Sequence, residues 1–242
     1  MDLRTTANGR LTRTLEPEVM DTEEDARDYD AMDHRDVNAR FCDDLLAFAS
    51  ARGVALGRVL DVGTGTALIP IELCKRAAGA TVDALDLAVH MLAIGRRNVD
   101  EAGLASRITL HRLDAKKTSF GEGAFTVVVS NSIVHHIPDP ADVLAEVLRL
   151  TARGGALFVR DLARPDTSAK VDELVALYAP LPTGVTREVL AMHERQRALL
   201  AASLHAALTV DDVKRMVAPL GVPASSVHMT SDRHWTLAHV RP

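Results

Sequence analysis

Between residues 58 and 162 the chain switches repeatedly between two hydrophobic periods. RVLDV (58–62) is a short apolar run closed by Gly63, and it reads as a buried strand. ALIPIELCKRAA (67–78) moves to helical spacing, with Pro70 tolerated because it falls in the first turn. TVDALD (81–86) predicts a second strand, AVHMLAIGRRNVDEAG (88–103) a helix closed by Gly103, and RITLHRLD (107–114) a third strand. FTVVVSNS (125–132) is the most β-rich run of the chain. Asp139 and Pro140 offer an N-cap and a first helical residue for ADVLAEVLRLTA (141–152), which carries Val143, Leu144, Val147 and Leu148 on one face. Gly154 and Gly155 turn the chain into ALFVRD (156–161).

The flanks follow other patterns. From Glu16 to about Arg52 the spacing is helical, with Val37, Phe41, Leu45, Leu46, Phe48 and Ala49 on the repeat. Residues 1–15 are polar and aperiodic, which predicts a mobile segment. After Leu162 the alternation stops: 168–178 and 186–206 read as helices, and LTVDDVKRMVAPLG (208–221) opens on a T-x-x-D capping pattern at Thr209. SSVHMTS and HWTLAHV read as an antiparallel strand pair joined by Asp232 and Arg233. Strands alternating with helices predict a doubly wound, mostly parallel α/β sheet of seven strands, with helices on both faces and an antiparallel C-terminal pair. One domain over 16–242 is expected, with the N-terminal helices (16–53) and a helical insertion (164–207) laid over the ligand face as a lid. Ligands of such sheets bind beyond the carboxyl ends of the strands, where strand order reverses.

The turn after the first strand narrows the choice of ligand. A dinucleotide fingerprint needs a third glycine after Gly63 and Gly65, and Leu68 occupies that position. Asp61, two residues before Gly63, would repel a diphosphate and attract a ligand with a free ammonium. S-adenosylmethionine carries an ammonium and a sulfonium. Asp86 ends the second strand, where a carboxylate accepts from ribose hydroxyls, and Asp114 ends the third, within reach of an adenine amine.

Asp61-x-Gly63-x-Gly65, Asp86 and Asp114, each at a strand's carboxyl end, resemble the pattern of the class I (Rossmann-like) S-adenosylmethionine-dependent methyltransferases over roughly residues 55 to 162. VLDVGTGTA is similar to the family's first motif, DALDLAVHMLAIG to its second, and FTVVVSNSIVHHIPDP to the strand that ends beside the sulfonium. The resemblance implies that Asp61, Gly63, Thr64 and Gly65 hold the methionine part of S-adenosyl-L-methionine. It implies Asp86 and Leu87 for the ribose, Asp114 and Ala115 for the adenine, Met91 beside the adenosine and Asn131 at the methyl end. Tyr29 matches N-terminal aromatics that close over the cofactor. Ala67 stands where the family often has a further glycine.

Methyl transfer is an in-line displacement in which the protein aligns donor and acceptor, and alignment alone supplies about 7–11 kcal/mol of the barrier. A base is needed only for an acceptor that is protonated at neutral pH. His135 and His136 follow Asn131, and at most one of the two adjacent rings is expected to face the substrate as a base. A metal site is not expected, because the pair has no third ligand at a recognisable spacing. Arg160, Asp161 and Arg164 read as a rim, either salt-bridged or open to an anionic substrate.

Composition trims the remaining alternatives. The net charge of −5 and aromatic content of 3% argue against holding a nucleic-acid backbone or stacking exposed bases, so a small-molecule acceptor is expected and nucleic acid is not. Two isolated cysteines, Cys42 and Cys74, no apolar leader and no long apolar run predict a soluble, cytoplasmic protein that does not enter a membrane. The pattern leaves open the oligomeric state and the methylated atom. It also leaves open a non-catalytic S-adenosylmethionine-binding module, an RNA methyltransferase and, against the glycine spacing, a nicotinamide-dependent oxidoreductase.

Overall fold

The computed structural model describes residues 10–19 and 21–242. The alternating segment folds as β1 (Arg58–Val62), α3 (Leu68–Arg76), β2 (Thr81–Asp86), α4 (Val89–Glu101), β3 (Ile108–Arg112), β4 (Phe125–Asn131), α5 (Pro140–Leu150) and β5 (Thr151–Leu162). Two helices precede it, α1 (Glu23–Asp30) and α2 (Arg35–Ala51). Behind it come α6 (Ser168–Tyr178), α7 (Arg187–Ala206), α8 (Val210–Val217), β6 (Val227–Met229) and β7 (His234–Val240). The seven strands lie in the order β3-β2-β1-β4-β5-β7-β6. β1 to β5 are parallel, and β7 is antiparallel to both β5 and β6. The order reverses between β1 and β4, so a crevice opens at their carboxyl ends.

The period of two along β1 sorts its side chains. Leu60 and Val62 face a core built with Val143, Leu144 and Val147 of α5, Val213 and Val217 of α8, and Trp235 of β7. Val59 faces the opposite core, with Phe41, Cys42 and Leu45 of α2 and Ile71, Leu73 and Cys74 of α3. Asp61 shares the parity of Val59, so the fold drives a carboxylate onto a face covered by helices.

Both cysteines are buried and unpaired. The T-x-x-D pattern forms a full capping box: Thr209 accepts from the Asp212 amide and Asp212 accepts from that of Thr209. Asp139 precedes α5, but its side chain makes no capping bond. β5 begins at Thr151 rather than after the glycine pair, with a register irregularity against β4 between Phe125 and Val127.

Residues 10–15 make specific contacts that the aperiodic reading of this stretch does not anticipate. Leu11 is buried beside α6 and α7, and its amide donates to Asp166. The Arg13 guanidinium donates to the carbonyls of His135, Ile137 and Ala206 at 2.7–3.0 Å. A strap with few apolar residues is thus held by hydrogen bonds, a signal that hydrophobic periodicity does not carry. Residues 1–9 lie outside the described residues. Among those described, no helix is long and apolar enough to cross a membrane.

Candidate functional site

The turn after β1 is shaped by close approach. The Gly63 and Thr64 amides both donate to the Leu85 carbonyl, at 2.8 and 2.9 Å, which folds the turn back over the end of β2. Gly63 has φ +74°, and a β-carbon there would lie 2.1 Å from Cγ2 of Ile133, so only glycine fits. The Gly65 amide donates to Asp86 Oδ2 at 2.8 Å, while Asp86 Oδ1 accepts from the Ala88 amide at 2.9 Å. Asp86 therefore ties the glycine turn to the start of α4. Ala67 sits at φ 64°, a left-handed conformation that favours glycine.

Beyond these strand ends lies a cleft with about 800 Å³ of free space, open solvent included. Its lining brings together most residues singled out in the sequence: Tyr29, Gly63, Gly65, Asp86, Leu87, Met91, Asp114, Ala115, Asn131 and His136. It adds several that sequence reasoning did not reach, among them Glu18 and Val19 of the strap, Lys116, Ser132, Ile133 and Ile137. Ser132 is held at φ 58° by its amide bond to the Arg160 carbonyl, a strained conformation directly on the cleft wall. Asp61, Thr64 and His135 are absent from this lining. Among the described residues none of 164–207 lines the cleft either; α7 instead braces α1, where Arg195 meets Asp28 at 2.7 Å, and the 134–136 turn.

Electrostatically the site is an anionic bowl. Glu18, Asp86 and Asp114 line it with one cation, Lys116, which pairs with Glu18 and, at 3.2 Å, with Asp114. Asp61 lies behind the turn, 2% exposed, and its Oδ2 has no hydrogen-bond partner. Burial pushes its carboxyl up to about 7, against the pull of the neighbouring Thr64 hydroxyl. Burial likewise raises Asp86, although the amides of Ala88 and Gly65 pull it down. Tyr29, with its ring beside Gly65, is pushed up to about 12 by burial and by the nearby charges of Asp86 and Asp61.

The histidine pair divides its roles. His135 is 3% exposed, and its Nδ1 lies 2.5 Å from Asp161 Oδ1. Asp161 also accepts from the amides of Val134, His135 and Leu162, so it anchors the whole 134–136 turn. Burial lowers the His135 imidazole and raises the Asp161 carboxyl, but the pairing outweighs it and each favours its charged form. Burial and the neighbouring His135 push His136 down to about 3, leaving it neutral. The pair does have a third neighbour: Glu16, 119 residues upstream of His135, reaches both rings from the strap. The rim reading of Arg160 and Arg164 resolves into internal pairing. Arg160 bonds Thr236 and Asp44, and Arg164 bonds the Ala207 carbonyl and Asp212.

Comparison with known proteins fits this geometry. Residues 59–155 match the methyltransferase domain family model. The chain is 35% identical over 113 residues to a phosphatidylethanolamine N-methyltransferase of Cereibacter sphaeroides, covering 47% of this chain and 53% of that protein. It is 37% identical over 112 residues to a demethylmenaquinone methyltransferase of Thermus thermophilus, covering 46% and 50%. The match thus spans about half the length of these relatives. A structure from Methanococcus maripaludis, assigned to the S-adenosyl-L-methionine-dependent methyltransferases, superposes with a TM-score of 0.66 at 16% identity, over 96% of this chain and 97% of that one. The [4+2]-cyclase SpnF superposes at 0.54 with 18% identity, over 84% and 80%. Residues 59–155 are therefore similar to a methyltransferase domain, and the chain as a whole shares the fold of the S-adenosylmethionine-dependent methyltransferase structures it superposes on.

Proposed function

We propose that the protein is an S-adenosyl-L-methionine-dependent methyltransferase acting on a small-molecule acceptor by in-line displacement. One observation carries this reading beyond the fold: Asp61, buried at the strand end that leads into the glycine turn of an anionic cleft, has a carboxylate oxygen, Oδ2, with no hydrogen-bond partner. An unpaired buried acceptor is costly and calls for a partner, and a cationic amino-acid group supplies one. A diphosphate would meet Glu18, Asp86 and Asp114 with only Lys116, already paired, to receive it.

On this reading the methionine end of the cofactor lies at Gly63 and Gly65, with Thr64 shaping the turn and Asp61 acting from beneath it. Asp86 and Leu87 receive the ribose. Asp114, Ala115 and Met91 flank the adenosine, Asn131 lies at the methyl end, and Tyr29 covers the turn. His135 gives its Nδ1 to Asp161 and does not line the cleft, so His136, neutral and on the lining, is the member of the pair that meets an acceptor. Val19, Ile133 and Ile137 give the cleft an apolar wall, which suits an acceptor with an apolar body. The relatives named for phosphatidylethanolamine and demethylmenaquinone act on molecules of that kind.

The test is incubation of the protein with isotope-labelled S-adenosylmethionine and a cell extract, read by mass spectrometry for a labelled small product. A second reading is prompted by SpnF, a cyclase with this fold: the chain binds S-adenosylmethionine without transferring its methyl group. Tight cofactor binding with no labelled product and no S-adenosylhomocysteine formed would favour it. Tighter binding of NADH than of S-adenosylmethionine would overturn both.

A further inference from the structure

The second cluster of interest lies at the margin of the cleft, where of its three residues His136 lines the wall. Glu16 Oε1 stands 3.2 Å from Nδ1 of His136 and 3.5 Å from Nε2 of His135, and the three atoms all lie within 4.8 Å of one another. We propose that Glu16, His135 and His136 bind one divalent transition-metal ion of the borderline class to which zinc belongs.

Three observations support this. First, the atoms converge without bonding: Glu16 Oε1 and His136 Nδ1 are both buried and neither has a hydrogen-bond partner. The side chain of Glu16 is only 8% exposed, so water does not satisfy it. Second, both distances from Glu16 Oε1 to the rings suit an ion. Four-coordinate zinc bonds of about 2.0–2.2 Å set neighbouring ligand atoms roughly 3.3–3.6 Å apart. Third, the supporting contacts are those of a ligating imidazole. Asp161 Oδ1 takes Nδ1 of His135 at 2.5 Å, and three backbone amides fix that carboxylate. A carboxylate on the far ring nitrogen orients a metal-binding histidine and raises its basicity. The other oxygen of Glu16 accepts from Ser203 of α7 at 3.4 Å, so strap, insertion and sheet all meet at this point.

Two imidazoles and one carboxylate form a three-ligand set that leaves a coordination position open, and imidazole-rich sets favour zinc and its neighbours over magnesium or calcium. Of the three residues only His136 lines the cleft, which places the ion at its margin. The competing occupant is a proton, carried by an imidazolium at His135 between Asp161 and Glu16. It would leave Nδ1 of His136 without a partner, whereas an ion engages all three atoms.

The experiment uses the full chain with any affinity tag removed, dialysed against chelator and then titrated with Zn²⁺, and separately with Co²⁺ as a coloured probe. One equivalent retained through gel filtration, visible cobalt absorption and a raised Tm are expected. Glu16→Gln and His136→Ala should each weaken Zn²⁺ binding at least tenfold, while S-adenosylmethionine binding persists in Glu16→Gln, whose side chain lies outside the cleft lining. A native protein that retains no ion overturns the proposal whatever the variants do. So does unchanged stoichiometry in a folded Glu16→Gln protein, or in His136→Ala should the former fail to fold. None of these readouts needs methyl transfer, so metal binding stands or falls separately from the enzymatic reading.

Discussion

If Asp61 receives the cofactor's ammonium, binding must be coupled to its ionisation. In the free protein its carboxyl titrates near 7, because burial opposes the charge. A cationic ligand needs the ionised form, so the apparent affinity carries the factor 1 + 10^(pKa − pH). With a pKa of about 7 this factor is about 2 at pH 7.0 and about 30 at pH 5.5. The dissociation constant should therefore rise about sixteen-fold between those values, or roughly 1.6 kcal/mol. The ligand's own ammonium stays protonated throughout this window. Calorimetry at several pH values, in buffers of different ionisation enthalpy, measures both the slope and the proton released. Asp61→Asn should bind more weakly at pH 7 and lose most of the slope, keeping only what Asp86 contributes. Stability supplies the opposite sign. A carboxyl whose folded pKa lies above its unfolded value favours folding when protonated, so stability falls as pH rises from about 4 through about 7, by about 4 kcal/mol in all. Above pH 7, Asp61→Asn should then raise the Tm of the unliganded protein. Superimposable pH profiles for native and variant proteins, with no gain in Tm, would refute the assignment of this carboxylate to the ligand.

Other sites give shorter tests. Asp86→Ala strands the Gly65 and Ala88 amides and should cost about 2–4 kcal/mol of stability, with S-adenosylmethionine binding lost beyond that loss; denaturant melts and calorimetry separate the two effects. Gly63→Ala forces a β-carbon against Ile133 from a left-handed backbone and should destabilise by about 2–4 kcal/mol while collapsing cofactor affinity. Thr209→Ala removes one arm of the α8 capping box and should cost about 1 kcal/mol with cofactor binding unchanged, a control for nonspecific loss.

What the sequence made legible follows from which interactions are local. The strands showed because a parallel sheet buried on both faces needs continuous apolar runs, and Gly63 and Asp86 showed because a tight turn and a strand end dictate their residue types at fixed spacing. The proton on Asp61 could not be read, since it depends on α2 and α3 covering the Val59 face of β1. Asp161 looked like a rim residue because it lies near the end of a strand, yet two amides and an imidazole claim it from a turn 26 to 27 residues away. Glu16 was the least accessible: it lies on a polar strap whose position depends on Arg13 binding carbonyls more than 120 residues distant. That arrangement also carries a consequence for the cleft. Glu18 and Val19 lie on the same strap and line the site, with Glu18 pinned to Lys116. Arg13 is thus a remote determinant of cleft shape, because its bonds to the 135–137 carbonyls join the strap to the turn bearing His136. Arg13→Met keeps much of the aliphatic stem but removes those donors. It should loosen residues 10–19 in hydrogen exchange and weaken acceptor binding, while leaving the Gly63–Asp86 turn and S-adenosylmethionine affinity intact. Loss of cofactor affinity matching that of acceptor affinity would show instead that the strap supports the whole cleft rather than its acceptor wall.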